Sequence, residues 1–383
     1  MRRNARIFHT RICGLLLVIV LAANMVAAPI PVARAAATWY VLPAPDGNDA
    51  NDCLTPASAC ATITAAISKA APGDTISVAA GTYFENLTIS KNITITGAGA
   101  ATTAIDAGLV GTVVTISAGV TVSIAGIAIR GGSAAGGGGG IDNQGDLTLA
   151  NVVLQNNQAN VGSAIRTNGV LRIADSTFIN NGPATGTIYG AGAITIDRSS
   201  FSGNVADNGG ALYLGGTVTI RASTFYGNQA TANDGGAIFA NGGIWTIENS
   251  TVSGNSAAAT GGGLVTSATF AATVAINNST FANNSAGAGG GNFAQFLGSI
   301  TVRNTIIANP AAGGNCRTPI SDAGNNLQFL DSSCASTMLQ ADPKLGPLQN
   351  NSGPTLTQAL LAGSAALDAG SNCTPVDQRG VPR

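Results

Sequence analysis

A six-residue phrase returns along this chain at intervals of 23 to 29 residues, and that recurrence limits the possible folds more than any other feature. Ser176-Thr177-Phe178-Ile179-Asn180-Asn181 comes back as Ser199-Ser200-Phe201-Ser202-Gly203-Asn204 and as Ser223-Thr224-Phe225-Tyr226-Gly227-Asn228. It returns again as Ser250-Thr251-Val252-Ser253-Gly254-Asn255 and as Ser279-Thr280-Phe281-Ala282-Asn283-Asn284, with weaker copies ending at Asn157 and Asn309. Before each copy stands an apolar pair two residues apart, from Leu147/Leu149 through Val218/Ile220 to Ile300/Val302. A fixed period of this length means stacked units that bury a continuous core. Leucine-rich repeats have a similar period, but their leucine pattern is missing. Within each unit the apolar residues alternate with small polar ones, which is the signature of short half-buried strands.

Three short strands and three turns per unit make the coil of a right-handed parallel β-helix, an all-β solenoid. Coils stack at the strand spacing of ~4.8 Å, so Ile76 to Asn309 gives about nine coils and a rod roughly 45 Å long. The phenylalanines then pile up inside. Asn157, Asn181, Asn204, Asn228, Asn255, Asn284 and Asn309 form a second column at one turn, where side-chain amides bond coil to coil and the left-handed backbone suits Asn.

Composition agrees. Charged residues are 9% of the chain, against about 25% in ordinary globular proteins. The 51 glycines would fit a disordered chain, but a hydrophobic fraction of 45% supplies a core. Residues 1–37 read as a signal peptide: arginines at 2, 3, 6 and 11, an apolar run from Gly14 to Ala28, and small-residue cleavage sites near Ala35. The chain is therefore expected to be secreted or displayed at the cell surface, with no membrane-spanning segment after cleavage. Cleavage removes five of the 17 basic residues and none of the 18 acidic ones, leaving a net charge of −6. That argues against a nucleic-acid partner.

Residues 38–73 read as a lead-in and capping helix, in which Ile63, Ala66, Ile67 and Ala70 share a helical face ended by Pro72-Gly73. A solenoid needs such a cap on its exposed first coil. Residues 74–310 are the β-helix and 311–383 an irregular C-terminal region. In a secreted chain the cysteines read as disulfides, Cys53 with Cys60 and Cys316 with Cys334, leaving Cys373 odd. Their spacing does not match a zinc site, and no metal or cofactor is expected.

Gly209-Gly210-Ala211-Leu212 and Gly235-Gly236-Ala237-Ile238, alternating with the Phe-x-x-Asn phrases, resemble the repeats of chlamydial polymorphic outer membrane proteins, β-helical adhesins. Gly73 to Val78 with Gly81-Thr82-Tyr83 resembles the first coil of bacterial pectin-lyase-like β-helix proteins. Asp342-Pro343, Leu345-Gly346-Pro347-Leu348, Leu367-Asp368-Ala369-Gly370 and Asp377-Gln378-Arg379-Gly380 resemble the "choice-of-anchor Q" region of such secreted proteins, whose relatives often carry His where this chain has Gln358. That resemblance implies a further Cys-containing segment beyond the Arg-Gly motif, which would account for Cys373. The resemblances imply the fold well and the chemistry poorly, because the class mixes lyases, hydrolases and adhesins.

The only histidine, His9, lies in the signal segment. Ser-His-Asp and Cys-His nucleophile systems are thus excluded from the mature chain. A lyase using Ca²⁺ with an Arg or Lys base, or an inverting glycosidase with two carboxylates, remains open. The best constellation is Asp197, Arg221 and Glu248, outward on successive coils with Asp175 and Arg198 adjacent; a surface ion-pair ladder is the plainer reading. Trp39, Tyr40, Tyr189, Tyr213 and Tyr226 could stack on sugars, with core or edge packing the plainer reading and Tyr213 and Tyr226 alone on neighbouring repeats. Asn-x-Ser/Thr triplets at Asn86, Asn92, Asn249 and Asn278 read as coil chemistry. The leading expectation is a monomeric, non-catalytic, adhesin-like protein that binds polysaccharide or another cell-surface component. A polysaccharide lyase or glycosidase and a purely structural envelope component are the alternatives.

Overall fold

The computed structural model describes residues 34–383; the signal-peptide reading falls almost entirely outside them. From Ala36 onward the chain is one compact unit. It is a right-handed parallel β-helix of about ten turns.

Three sheets run along the rod. Sheet 1 has 19 strands, sheet 2 has 12 and sheet 3 has four two-residue strands. Every strand pairing within these three is parallel and joins one coil to the next, as Ile194-Thr195-Ile196 over Leu171-Arg172-Ile173 and under Val218-Thr219-Ile220. Sheet 1 is bent into two wings. One wing holds short runs such as Ile165–Thr167 and Ile238–Ala240, the other longer runs such as Val170–Ala174 and Gly243–Glu248. In two coils the wings merge into single ten-residue strands, Ile188–Asp197 and Leu212–Arg221. A glycine column marks the bend. A Cβ on Gly169 would lie 1.8 Å from the Gly145 carbonyl oxygen, and one on Gly243 would lie 2.0 Å from that of Gly216, so only glycine allows these backbones to stack.

The repeat residues fill the interior. Phe178, Phe201 and Phe225 stack at 4.5 and 4.7 Å between ring centroids and are fully buried. Val252 interrupts the column, and Phe281 then packs on Phe293 from the adjoining sheet at 4.4 Å. Each buried ring contributes about 1.5–3 kcal/mol of transfer free energy.

Beside them runs the asparagine ladder. The side-chain amide of Asn204 donates to Asn228 Oδ1 at 2.9 Å and to the Phe178 carbonyl of the preceding coil at 3.0 Å; its backbone N–H donates to the same Oδ1. The pattern holds from Asn157 to Asn284. Asn309 does not continue it. Ala282 pairs with Ala308, so Asn309 matches Asn283, at a positive-φ turn position, and Pro310 falls where the next rung should be. Proline offers neither amide nor N–H. The ladder steps sideways instead: Asn284 donates to Asn292, and Asn292 to Asn315.

The rod is longer than residues 74–310. Thr38–Val41 pairs with Thr75–Val78, so part of the lead-in is itself a sheet 1 strand. The cap is a helix over Ile63–Lys69, with the Thr62 side chain accepting from Ala65 N–H and the Glu85 carboxylate accepting from Ile63 and Thr64 N–H. A carboxylate there also suits the helix dipole. At the far end, Ser321–Asp322 pairs with sheet 1, and Leu327–Gln328 and Leu339–Gln340 extend sheet 2. The Cys316–Cys334 disulfide closes this last coil, and Cys53–Cys60 closes a loop beside the cap. Cys373 is unpaired.

Beyond it the chain doubles back as a strap over the outside of sheet 2, an arrangement that the reading of 311–383 as irregular did not contain. Gln378 is its anchor: Thr251 Oγ1 donates to its side-chain oxygen at 2.7 Å, and its amide donates to Thr224 and Thr355 Oγ1 at 2.9 Å. Asn304 donates to the Ser371 carbonyl and Asn249 to that of Val376.

Candidate carbohydrate-binding groove

Outward from the sheet 1 wing that carries Ile188 and Leu212, equivalent positions form a column: Asp142, Arg166, Tyr189, Tyr213, Phe239, Val265. Tyr189 stacks on Tyr213 at 5.4 Å, and Tyr213 on Phe239 at 4.6 Å, with ring planes within 20° of parallel. Tyr213 therefore has Tyr189 and Phe239 as neighbours, while Tyr226 belongs to sheet 2, between Ser202 and Ser253. The stacking occupies ring faces. Both tyrosines stay half-buried rather than enclosed. Burial, and then the neighbouring Tyr189, push the Tyr213 phenol above its ordinary value.

Along this column, at the bend between the wings, lies an open groove of about 630 Å³. Its walls are Tyr189, Tyr213, Asn168, Asn241, Thr269 and Phe270, and its floor is the glycine-rich backbone of the bend. One group of lining residues comes from each of five successive coils, so the groove runs along the rod for about 19 Å at the strand spacing. Phe270 is 57% exposed. It projects from the longest repeat interval, Asn255 to Asn284, and its Cβ would sit 2.9 Å from a Cβ on Gly242. An exposed aromatic ring in a groove of hydroxyl and amide groups can pack on the apolar face of a sugar while the polar groups bond its hydroxyls.

Asp197, Arg221 and Glu248 do lie on successive coils, as the repeat alignment implies. All three are held in ion pairs: Arg221 pairs with Glu248 at 3.2 Å, and Arg198 bridges Asp175 at 2.7 Å and Asp197. None of them lines the groove. Trp39 donates its indole N–H to Asp74 at the first coil. Asn86 donates to the Val110 and Thr112 carbonyls, and Asn92 accepts from Thr121 N–H, so these triplets serve coil-to-coil bonding; Asn249 and Asn278 hold the strap. Among the described residues, no three or more His, Cys, Asp or Glu side chains gather as a metal site.

This architecture defines a parallel β-helix of pectate-lyase-like fold. A family profile described as "Right handed beta helix region" matches residues 137–307. The solved pectate lyase Pel9A superposes with a TM-score of 0.51 at 14% identity, over 89% of this chain and 92% of that one. A rhamnogalacturonan lyase gives a TM-score of 0.45 at 13% identity, over 87% and 98%. No curated protein matches by sequence. At 14% identity the likeness to the pectate lyase is one of fold.

Proposed function

We propose that this is a secreted, non-catalytic β-helix protein that holds an extracellular polysaccharide in the sheet 1 groove. The observation that carries the reading is the five-coil groove lined by an exposed Phe270 ring and by the stacked Tyr189 and Tyr213. The acid and base groups that a lyase or glycosidase would need lie elsewhere on sheet 1, in ion pairs with each other. No membrane-spanning helix is present among the described residues, which agrees with a secreted chain.

A glycan array followed by affinity electrophoresis tests the proposal. Removing the Phe270 ring forfeits a stacking contact of about 0.5–1.5 kcal/mol, so Phe270→Ala is expected to weaken retention by up to about tenfold. Unchanged retention would move the binding surface elsewhere. Release of unsaturated products or reducing ends from any polysaccharide would replace the binding reading with an enzymatic one. Loss of that release in Glu248→Ala would then place the chemistry on the ion-pair ladder.

A further inference from the structure

We infer that the groove takes a neutral, linear polysaccharide and discriminates against polyuronates and other acidic glycans; this rests on the groove being the binding surface. Every side chain lining it is uncharged. Of the arginines on this part of sheet 1, Arg166, Arg172 and Arg221 are matched to carboxylates, and Arg303, on the coil beyond the groove, is not matched among the described residues. Arg166, one coil from Tyr189, places two nitrogens on the Asp142 carboxylate at 3.0 Å each and a third on the Gly136 carbonyl. Arg172, on the longer-strand wing, pairs with Asp146 at 2.6 Å. Arg221 is held by Glu248, and Arg198 by Asp175 and Asp197. Arg317 stands over the Phe296 ring at 4.8 Å, and neither residue lines the groove.

A polyuronate carries one carboxylate per uronic acid and needs either unpaired cationic side chains or bridging divalent ions. The nearest candidate for the first, Arg166, would have to leave a bidentate pair with Asp142, and Arg317, which has no carboxylate partner among the described residues, is set over the Phe296 ring outside the groove. The second calls for six to eight oxygen ligands, several of them carboxylates, while the groove offers amides, hydroxyls and backbone. The net charge of −6 on residues 38–383 adds long-range repulsion of a polyanion at low salt.

What the groove does offer suits neutral pyranoses. The Phe270 ring presents an apolar face. Tyr189, Tyr213, Asn241 and Thr269 present hydroxyl and amide donors and acceptors at successive coils. The lining recurs once per coil, so the ligand must be extended along the rod axis. A linear chain does this; a compact branched glycan does not.

The test is affinity electrophoresis of the full mature chain, wild type and Phe270→Ala, in gels containing glucomannan, galactomannan, β-glucan, polygalacturonate or alginate, at low and moderate salt, with and without Ca²⁺. At least one neutral polymer should retard the wild type at both salt levels and without Ca²⁺. The Phe270→Ala chain should be retarded less, and neither polyuronate should retard either chain. Retardation by polygalacturonate or alginate that weakens in Phe270→Ala would overturn the neutral-ligand inference while leaving the groove as the binding surface. Retardation by a neutral polymer that is identical in the two chains would overturn the groove itself, and both readings fall if no polymer retards the protein.

Discussion

The two outer faces of this rod are built from the same repeat and finished differently. On sheet 2 the outward column Thr177, Ser200, Thr224, Thr251, Thr280 is half-buried at its ends and fully buried at Thr224 and Thr251, where the strap bonds to it, with a cavity of about 670 Å³ between strap and sheet at the following coils. On sheet 1 the outward column Thr195, Thr219, Thr246 stays half-exposed through the same coils, and the groove beside it is open. One face spends its hydroxyls on the chain's own tail. The other keeps them for solvent or a ligand. The repeat supplies a scaffold indifferent to use, and the non-repeating segments, the strap and the Phe270 loop, decide what each face does.

The largest expected effect tests what both faces share. Asn228→Ala strips the acceptor from the Asn204 backbone N–H and side-chain amide and the donor from the Phe201 carbonyl, all buried. Each lost partner costs about 1–3 kcal/mol, so chemical denaturation should show a loss of about 3–5 kcal/mol. Next comes the strap. Gln378→Ala removes bonds to Thr224, Thr251 and Thr355. It should cost about 2–4 kcal/mol locally, seen as faster hydrogen exchange over residues 371–383 with glycan retention unchanged. Coupled loss of retention would erase the separation of the two faces.

A smaller pair of substitutions sharpens the contrast. Thr251→Val on the covered face should cost about 1–2 kcal/mol, because it leaves the Gln378 oxygen without its donor. Thr219→Val on the uncovered face should stay within about 0.5 kcal/mol.

Acidity should also separate them. Burial raises the Asp377 carboxyl, but the bonds from the Arg379 side chain and from the Val381 and Arg379 N–H groups outweigh it and hold the group below its ordinary value. A depressed folded value means that its contribution is complete above the unfolded value of ~3.9 and is lost as pH falls below it. Limited proteolysis between pH 5 and about 2 should therefore show the strap cut before the coils. The ion pairs on the open face contribute little: Arg221→Ala should change stability by no more than about 1 kcal/mol.

Much of this was legible in the sequence because the repeat locks chemistry to position. Phe178, Phe201 and Phe225 could only stack if the coils were in register, and the same register put Asp197, Arg221 and Glu248 in line. The reading slipped at Asn309, where a weak copy ends one residue early and Pro310 occupies the rung. It matched Tyr213 with Tyr226 across a turn, although Tyr189 and Tyr213 each stand five residues before an inward apolar residue, Ile194 and Val218, and so share a column. Phe270 and the strap carry no period. Their positions depend on long-range packing against Gly242, Thr224 and Thr251, which no local pattern encodes.

Hydrogen exchange of the mature chain, with and without a saturating neutral polymer that retards it, tests most directly whether the open face is the working one. The account predicts new protection confined to residues 189–191, 213–216, 241–243 and 269–271. Protection falling instead on the strap at 351–379, with the groove unchanged, would contradict it.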